Sequence, residues 1–127
     1  MSDGTLHTLN RAWGKDRVFI TVRRGDKYLG TEGQTFDLCE CWGDDHAIVG
    51  NAIVVRTGLM EMGEIPASLL DTHYNSKCRQ YRYLMEAMRN AYGVDAMDDS
   101  TIVTICTLQR PTLVPSPTPQ DDREEAE

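Results

Sequence analysis

Two stretches of alternating, β-branched chain near opposite ends of the sequence constrain the fold more than any other feature. Arg17 to Arg23 reads RVFITVR, with Val18, Ile20 and Val22 on one face and Phe19 and Thr21 on the other. Thr101 to Leu108 sets Ile102, Thr104, Cys106 and Leu108 against Thr101, Val103, Ile105 and Thr107. A period of two is a strand signal, and β-branched and aromatic side chains suit a pleated surface. Strands this far apart in sequence must be gathered into a sheet by long-range pairing.

The chain between them adds two more strands and a helical segment. Gly25, Gly30 and Gly33 punctuate a polar loop, after which Thr35 to Trp42 alternates Phe36, Leu38, Glu40 and Trp42 with Thr35, Asp37, Cys39 and Cys41. The turn Gly43-Asp44-Asp45 then leads into His46 to Thr57, so these two strands are expected to form a hairpin, with Gly50 as a bulge or a site of close approach. Glu64 to Leu70 reads as a short helix with Pro66 near its first turn. Ser76 is the expected N-cap of a helix over Lys77 to Tyr92, where Tyr81, Leu84, Met85, Met88 and Tyr92 recur at three- and four-residue spacing before Gly93. The fold class is therefore α+β: a small barrel or curled mixed sheet with two helices covering one opening.

The 127 residues suit one domain, expected over residues 1–110. From Pro111 the composition changes, with Pro115, Pro117 and Pro119 followed by Asp121-Asp122-Arg123-Glu124-Glu125-Ala126-Glu127, so residues 111–127 are expected to form a disordered acidic tail. That run carries −4 of the formal charge of −7. Between Arg11 and Lys27 the balance reverses, with six bases against Asp16 and Asp26, and a local basic patch in an acidic chain argues against indiscriminate coating of nucleic acid. No stretch approaches the roughly 18 apolar residues of a membrane span, and no apolar leader opens the chain, so the expected setting is cytoplasmic, away from membranes, with reduced cysteines.

The order of a basic first strand, a glycine-punctuated loop, a long third strand, the Leu69-Leu70 helix, the Tyr81 to Tyr92 helix and the Ile102 to Leu108 strand resembles the ASCH family of the PUA-like superfamily, over roughly Asn10 to Arg110. The resemblance implies a cleft between barrel and helices that holds RNA or a nucleoside, and one bacterial branch hydrolyses acylated cytidine there. The family's strand motif, Gly-x-Lys-x-x-Glu/Thr-x-Arg, laid on Asp16 to Arg23, is met by Thr21 and Arg23, while Asp16 stands for the glycine and Val18 for the lysine. Asp71 to Lys77 lacks the glutamate that the resemblance implies for the helical insertion.

The ligand-binding candidates are accordingly Thr21 and Arg23, which share a strand face, with Arg24, Tyr28, Trp42 and His73. A guanidinium is permanently charged and grips phosphate or a base edge through two donors. Tyr28 and Trp42 are rings on which a base could stack, and His73 is expected to titrate near physiological pH. For amide hydrolysis the candidates are Thr21 with Lys15 or Arg17 in place of the missing lysine. Cys39 and Cys41 lie on one side of a strand with His46 across the hairpin, but no fourth ligand stands at a common spacing, so buried free thiols are expected and neither metal nor cofactor. Three functions follow: binding of RNA or a modified nucleoside, hydrolysis of N4-acylcytidine, and capture of a protein partner by the acidic tail.

Overall fold

The computed structural model describes residues 3–8, 12–14, 16–42 and 44–111, the side chain of Trp42 excepted. Five strands, β1 (Gly4–His7), β2 (Val18–Arg24), β3 (Thr35–Trp42), β4 (Asp45–Glu61) and β5 (Ile102–Gln109), form one mixed sheet in the order β1-β3-β4-β5-β2. The helices are α1 (Ala67–Leu70) and α2 (Tyr81–Tyr92). The fold is α+β, and the sheet is not closed: β1 and β2 are its edges.

The alternation read in the first and last strands decides how they pack. β2 and β5 pair antiparallel from Val18↔Gln109 to Arg24↔Val103. Ile20, Val22, Val103 and Ile105 point to one side and form a core with Leu70, Leu84, Met85 and Met88 of the two helices. Phe19 and Leu108 point to the other and join Leu6, Trp13, Phe36, Leu38, Ala52 and Val54. All five strands contribute to this second core, including both edge strands, so the sheet curls around it. Alternation with both faces apolar thus packs the helices against the face of β2 and β5 that carries Ile20, Val22, Val103 and Ile105.

The expected β3–β4 hairpin forms, closing at Trp42↔Asp45, and its register slips between Leu38 and Cys39 beside Gly50, one of the two roles expected of that glycine. The strand that sequence periodicity missed is β1, four residues paired in parallel with β3, from Gly4↔Phe36 to His7↔Cys39. The long helix also starts later than expected. Asn75, not Ser76, accepts from the Lys77 amide with its side chain and caps a 3-10 turn over Ser76–Arg79. Gln80 is then extended (φ −105°, ψ 130°), and α2 begins at Tyr81. The break lets Arg79 reach back, its Nε donating to His73 O (3.0 Å) and its Nη2 pairing with Asp16 (2.9 Å).

Gly25 leaves β2 with φ +82°, a left-handed turn that other residues adopt only under strain. Its carbonyl accepts from the fully buried Thr104 hydroxyl at 2.6 Å. No helix among the described residues is long and apolar enough to cross a membrane. The acidic tail lies outside the described residues apart from Pro111.

Arg110, the last residue before the prolines, clamps the chain entering β2. Its amide donates to Arg17 O (2.8 Å), Nε to Asp16 O (3.0 Å) and Nη2 to Gly14 O (2.7 Å), with the guanidinium 5.4 Å from the centre of the Phe19 ring. Charge-assisted bonds of this kind contribute about 1–3 kcal/mol. Arg110→Met is expected to lower the unfolding free energy by that amount, read as a lower urea midpoint with an unchanged m-value, while Arg82→Met, on the exposed side of α2, leaves the midpoint in place.

Candidate functional site

The site lies where the curled sheet fails to close. The backbone of the β2 edge is met at Ile20, whose N–H donates to Thr72 O (2.9 Å) and whose carbonyl accepts from Tyr74 N (3.2 Å). Three residues further, the Arg23 side chain bridges the gap, Nη2 donating to His7 O on β1 at 3.1 Å. Between these contacts and α2 opens a cleft of about 650 Å³, whose lining includes Thr21, Arg23, His73, Lys77, Glu86 and Tyr92.

Thr21 and Arg23 share a face because they are two residues apart on one strand. Thr21 is 2% exposed, and its Oγ1 accepts from Arg23 Nε at 3.0 Å, so the half-buried cation is the outer member of the pair. The guanidinium carbon stands 5.9 Å from the centre of the Trp13 ring, within cation–π range. Three constraints thus aim one positive charge.

His73 is 3% exposed, and its Nδ1 accepts from the Asn75 amide at 3.0 Å. Its ring stacks on Tyr74 (4.5 Å between centres), which packs on Trp13 (4.3 Å). Burial, reinforced by the Arg23 and Arg79 cations, pushes its pKa down from 6.5 to about 4. The physiological titration expected from sequence is therefore overturned: a charged imidazole would sit dehydrated between two cations. With Nδ1 accepting, the neutral ring carries its proton on Nε2.

The other candidates are dispersed. Arg24, on the opposite strand face, donates through Nε to Ala96 O at 2.9 Å. Arg17 is exposed and does not line the cleft. Tyr28 packs edge-on against Phe36 at 5.8 Å, away from the cleft. Lys15 and the Trp42 side chain lie outside the described residues. What sequence reasoning missed comes from α2: Glu86 lines the cleft, as does Tyr92, which continues the three- and four-residue spacing of the helix but is 41% exposed. Spacing alone could not separate Tyr92 from the buried stripe, because only the position of β2 decides where that stripe ends.

Cys106 is buried, which pushes its thiol up to about 11, so it is not an activated nucleophile. A second polar cluster occupies the β1–β3–β4 part of the sheet. There Cys41 Sγ lies 3.5 Å from His7 Nδ1 and 3.2 Å from His46 Nδ1, with Cys39 alongside. Burial and the adjacent Cys39 thiol push the Cys41 pKa up. His7, absent from the sequence reading, is brought in by the β1–β3 pairing.

Compared with known proteins, the chain has no significant match to a family model, a curated protein or a solved structure.

The depressed His73 pKa predicts acid sensitivity. Between about pH 6.5 and 4 the unfolded chain binds a proton at this position that the folded chain does not, so stability is complete above pH 6.5 and is lost as pH falls towards 4. Between pH 7 and about 4.5, wild type should lose on the order of 2–3 kcal/mol more than His73→Asn, measured by urea unfolding at both pH values. Parallel losses in the two proteins would show that His73 does not resist protonation.

Proposed function

We propose that the chain is an ASCH-like domain of PUA-like type that holds a nucleoside or a short RNA segment in the cleft beside β2. The observation that carries this reading is the Thr21–Arg23 pair on the cleft wall. Two of the five guanidinium donors are committed, to Thr21 and His7, which fixes the plane of the group. The others serve a phosphate or the edge of a base. Neutral His73 supplies an Nε2 donor suited to a base carbonyl, and the exposed Tyr92 ring offers a stacking face, an interaction worth roughly 1–3 kcal/mol per base. The volume lies within the roughly 300–1,000 Å³ of small-molecule sites.

Among the described residues only Arg23 and Lys77 bring fixed positive charge to the lining, and Glu86 opposes them. The charge suits one or two phosphates, and the salt dependence should be shallow, about −0.7 in log–log slope per phosphate contacted. A second reading, hydrolysis of N4-acylcytidine, is favoured by one observation: Lys77 and Glu86 line the same cleft as Thr21 and supply an amine and a carboxylate that the strand motif and the 71–77 stretch lack. Against it, the Thr21 oxygen is buried and already accepts from Arg23, so binding is the leading function.

Isothermal titration with cytidine, N4-acetylcytidine and a short single-stranded RNA tests both. Binding is expected for wild type, weakened at least tenfold, or about 1.4 kcal/mol, by Arg23→Ala. Ala91→Trp, which fills the cleft from the exposed side of α2, should have a similar effect with the fold intact. Absence of binding to all three ligands removes the proposal, and release of cytidine from the acetylated ligand establishes the hydrolytic reading.

A further inference from the structure

Two of the chain's three histidines and two of its four cysteines converge on a single patch of sheet. Cys39 and Cys41 are two residues apart on β3 and share a face. His7 is the register partner of Cys39 on the parallel strand β1, and His46 is the partner of Cys41 on the antiparallel strand β4. Three strands with two kinds of pairing thus set four ligand-bearing side chains at the corners of one small square. Their ligand atoms all lie within 4.8 Å of one another, and this is the one such group among the described residues.

We propose that His7, Cys39, Cys41 and His46 bind one zinc ion as a closed, structural site. The donor set selects the metal: two thiolates and two imidazoles in tetrahedral array are characteristic of Zn²⁺. Metal–ligand lengths of about 2.3 Å to sulfur and 2.0–2.1 Å to nitrogen imply ligand–ligand edges of roughly 3.3–3.8 Å. The spacings of Cys41 Sγ to His7 Nδ1 (3.5 Å) and to His46 Nδ1 (3.2 Å) are already of that size. The remaining pairs all lie within 4.8 Å and need at most about 1.5 Å of side-chain movement, most of which the two surface imidazoles can supply.

The surroundings fit a rigid site. The amide of Cys41 donates to the buried Thr8 hydroxyl at 3.1 Å, and the carbonyl of Cys39 accepts from Thr8 N (3.0 Å) and Trp13 Nε1 (3.1 Å). The two cysteines are buried while the two histidines are exposed, so the thiolates sit on the protein side and the imidazoles close the outside. With four protein ligands no position is open to substrate, which assigns the metal to structure. Its effect is to tie β1, an edge strand of only four residues, to β3 and β4 through side chains as well as through the ladder.

The test uses the full chain, purified under reducing conditions with any affinity tag removed and stripped of metal by a chelator. Cobalt(II) should develop the visible bands of a tetrahedral centre with thiolate-to-metal charge transfer, saturate at one ion per chain, and be displaced by one equivalent of zinc. His7→Ala and His46→Ala, both surface changes that leave the fold intact by circular dichroism, should each weaken zinc binding by more than the roughly 10–100-fold typical of losing an outer-shell partner. Wild type should gain Tm with added zinc, and Cys39→Ser/Cys41→Ser should not. An octahedral or absent cobalt spectrum, or unchanged affinity in either histidine variant, overturns the assignment.

Discussion

Buried backbone must find hydrogen-bond partners, and a sheet that curls without closing leaves two edges that need them. In this protein the edges are β1 and β2, and the seam between them organises the site. The covering segment 72–74 meets β2 at Ile20, and the Arg23 side chain spans to the His7 carbonyl. A fully paired barrel would have used that edge for a ladder and left no cleft. The incomplete closure therefore positions the charge, the hydroxyl and the neutral imidazole at one opening.

Packing on the two sides of β2 gives the seam its rigidity. Phe19 is locked in the inner core and Ile20 in the core beneath the helices, so the strand cannot rotate Thr21 and Arg23 out of the cleft without exposing one or the other. Arg110 and Arg79 hold the chain before β2, and Arg79 also holds the loop carrying His73. β1 belongs to both features of the molecule. The His7 carbonyl anchors Arg23, while its ring joins Cys39, Cys41 and His46, so fixing that strand from the metal side also fixes one wall of the cleft.

Strands β2 to β5, the hairpin and the buried stripe of α2 were legible because each is written as a local period. Thr21 and Arg23 were legible for the same reason, since spacing along one strand already places them on one face. The start of α2 was misread by a few residues because the Asn75 cap serves a 3-10 turn that resembles the first turn of a helix. His73 was misjudged for a different reason: its protonation depends on Arg23, Arg79 and burial, none of them a sequence neighbour within two positions. β1 is too short and polar to show periodicity, and with it His7 escaped notice.

By itself the sequence determined the secondary-structure classes, the apolar faces and the pairing of a hydroxyl with a guanidinium on β2, because these depend on contacts between residues one to four positions apart. The tertiary structure alone decided which face the helices cover, where the sheet stays open, which of the cations and aromatic rings reach the cleft, and that His7 meets Cys39, Cys41 and His46. Those outcomes rest on strand order and register, which bring together groups tens of residues apart. Side-chain periodicity says which way a residue points along its own strand, and it carries no information about which strand lies alongside.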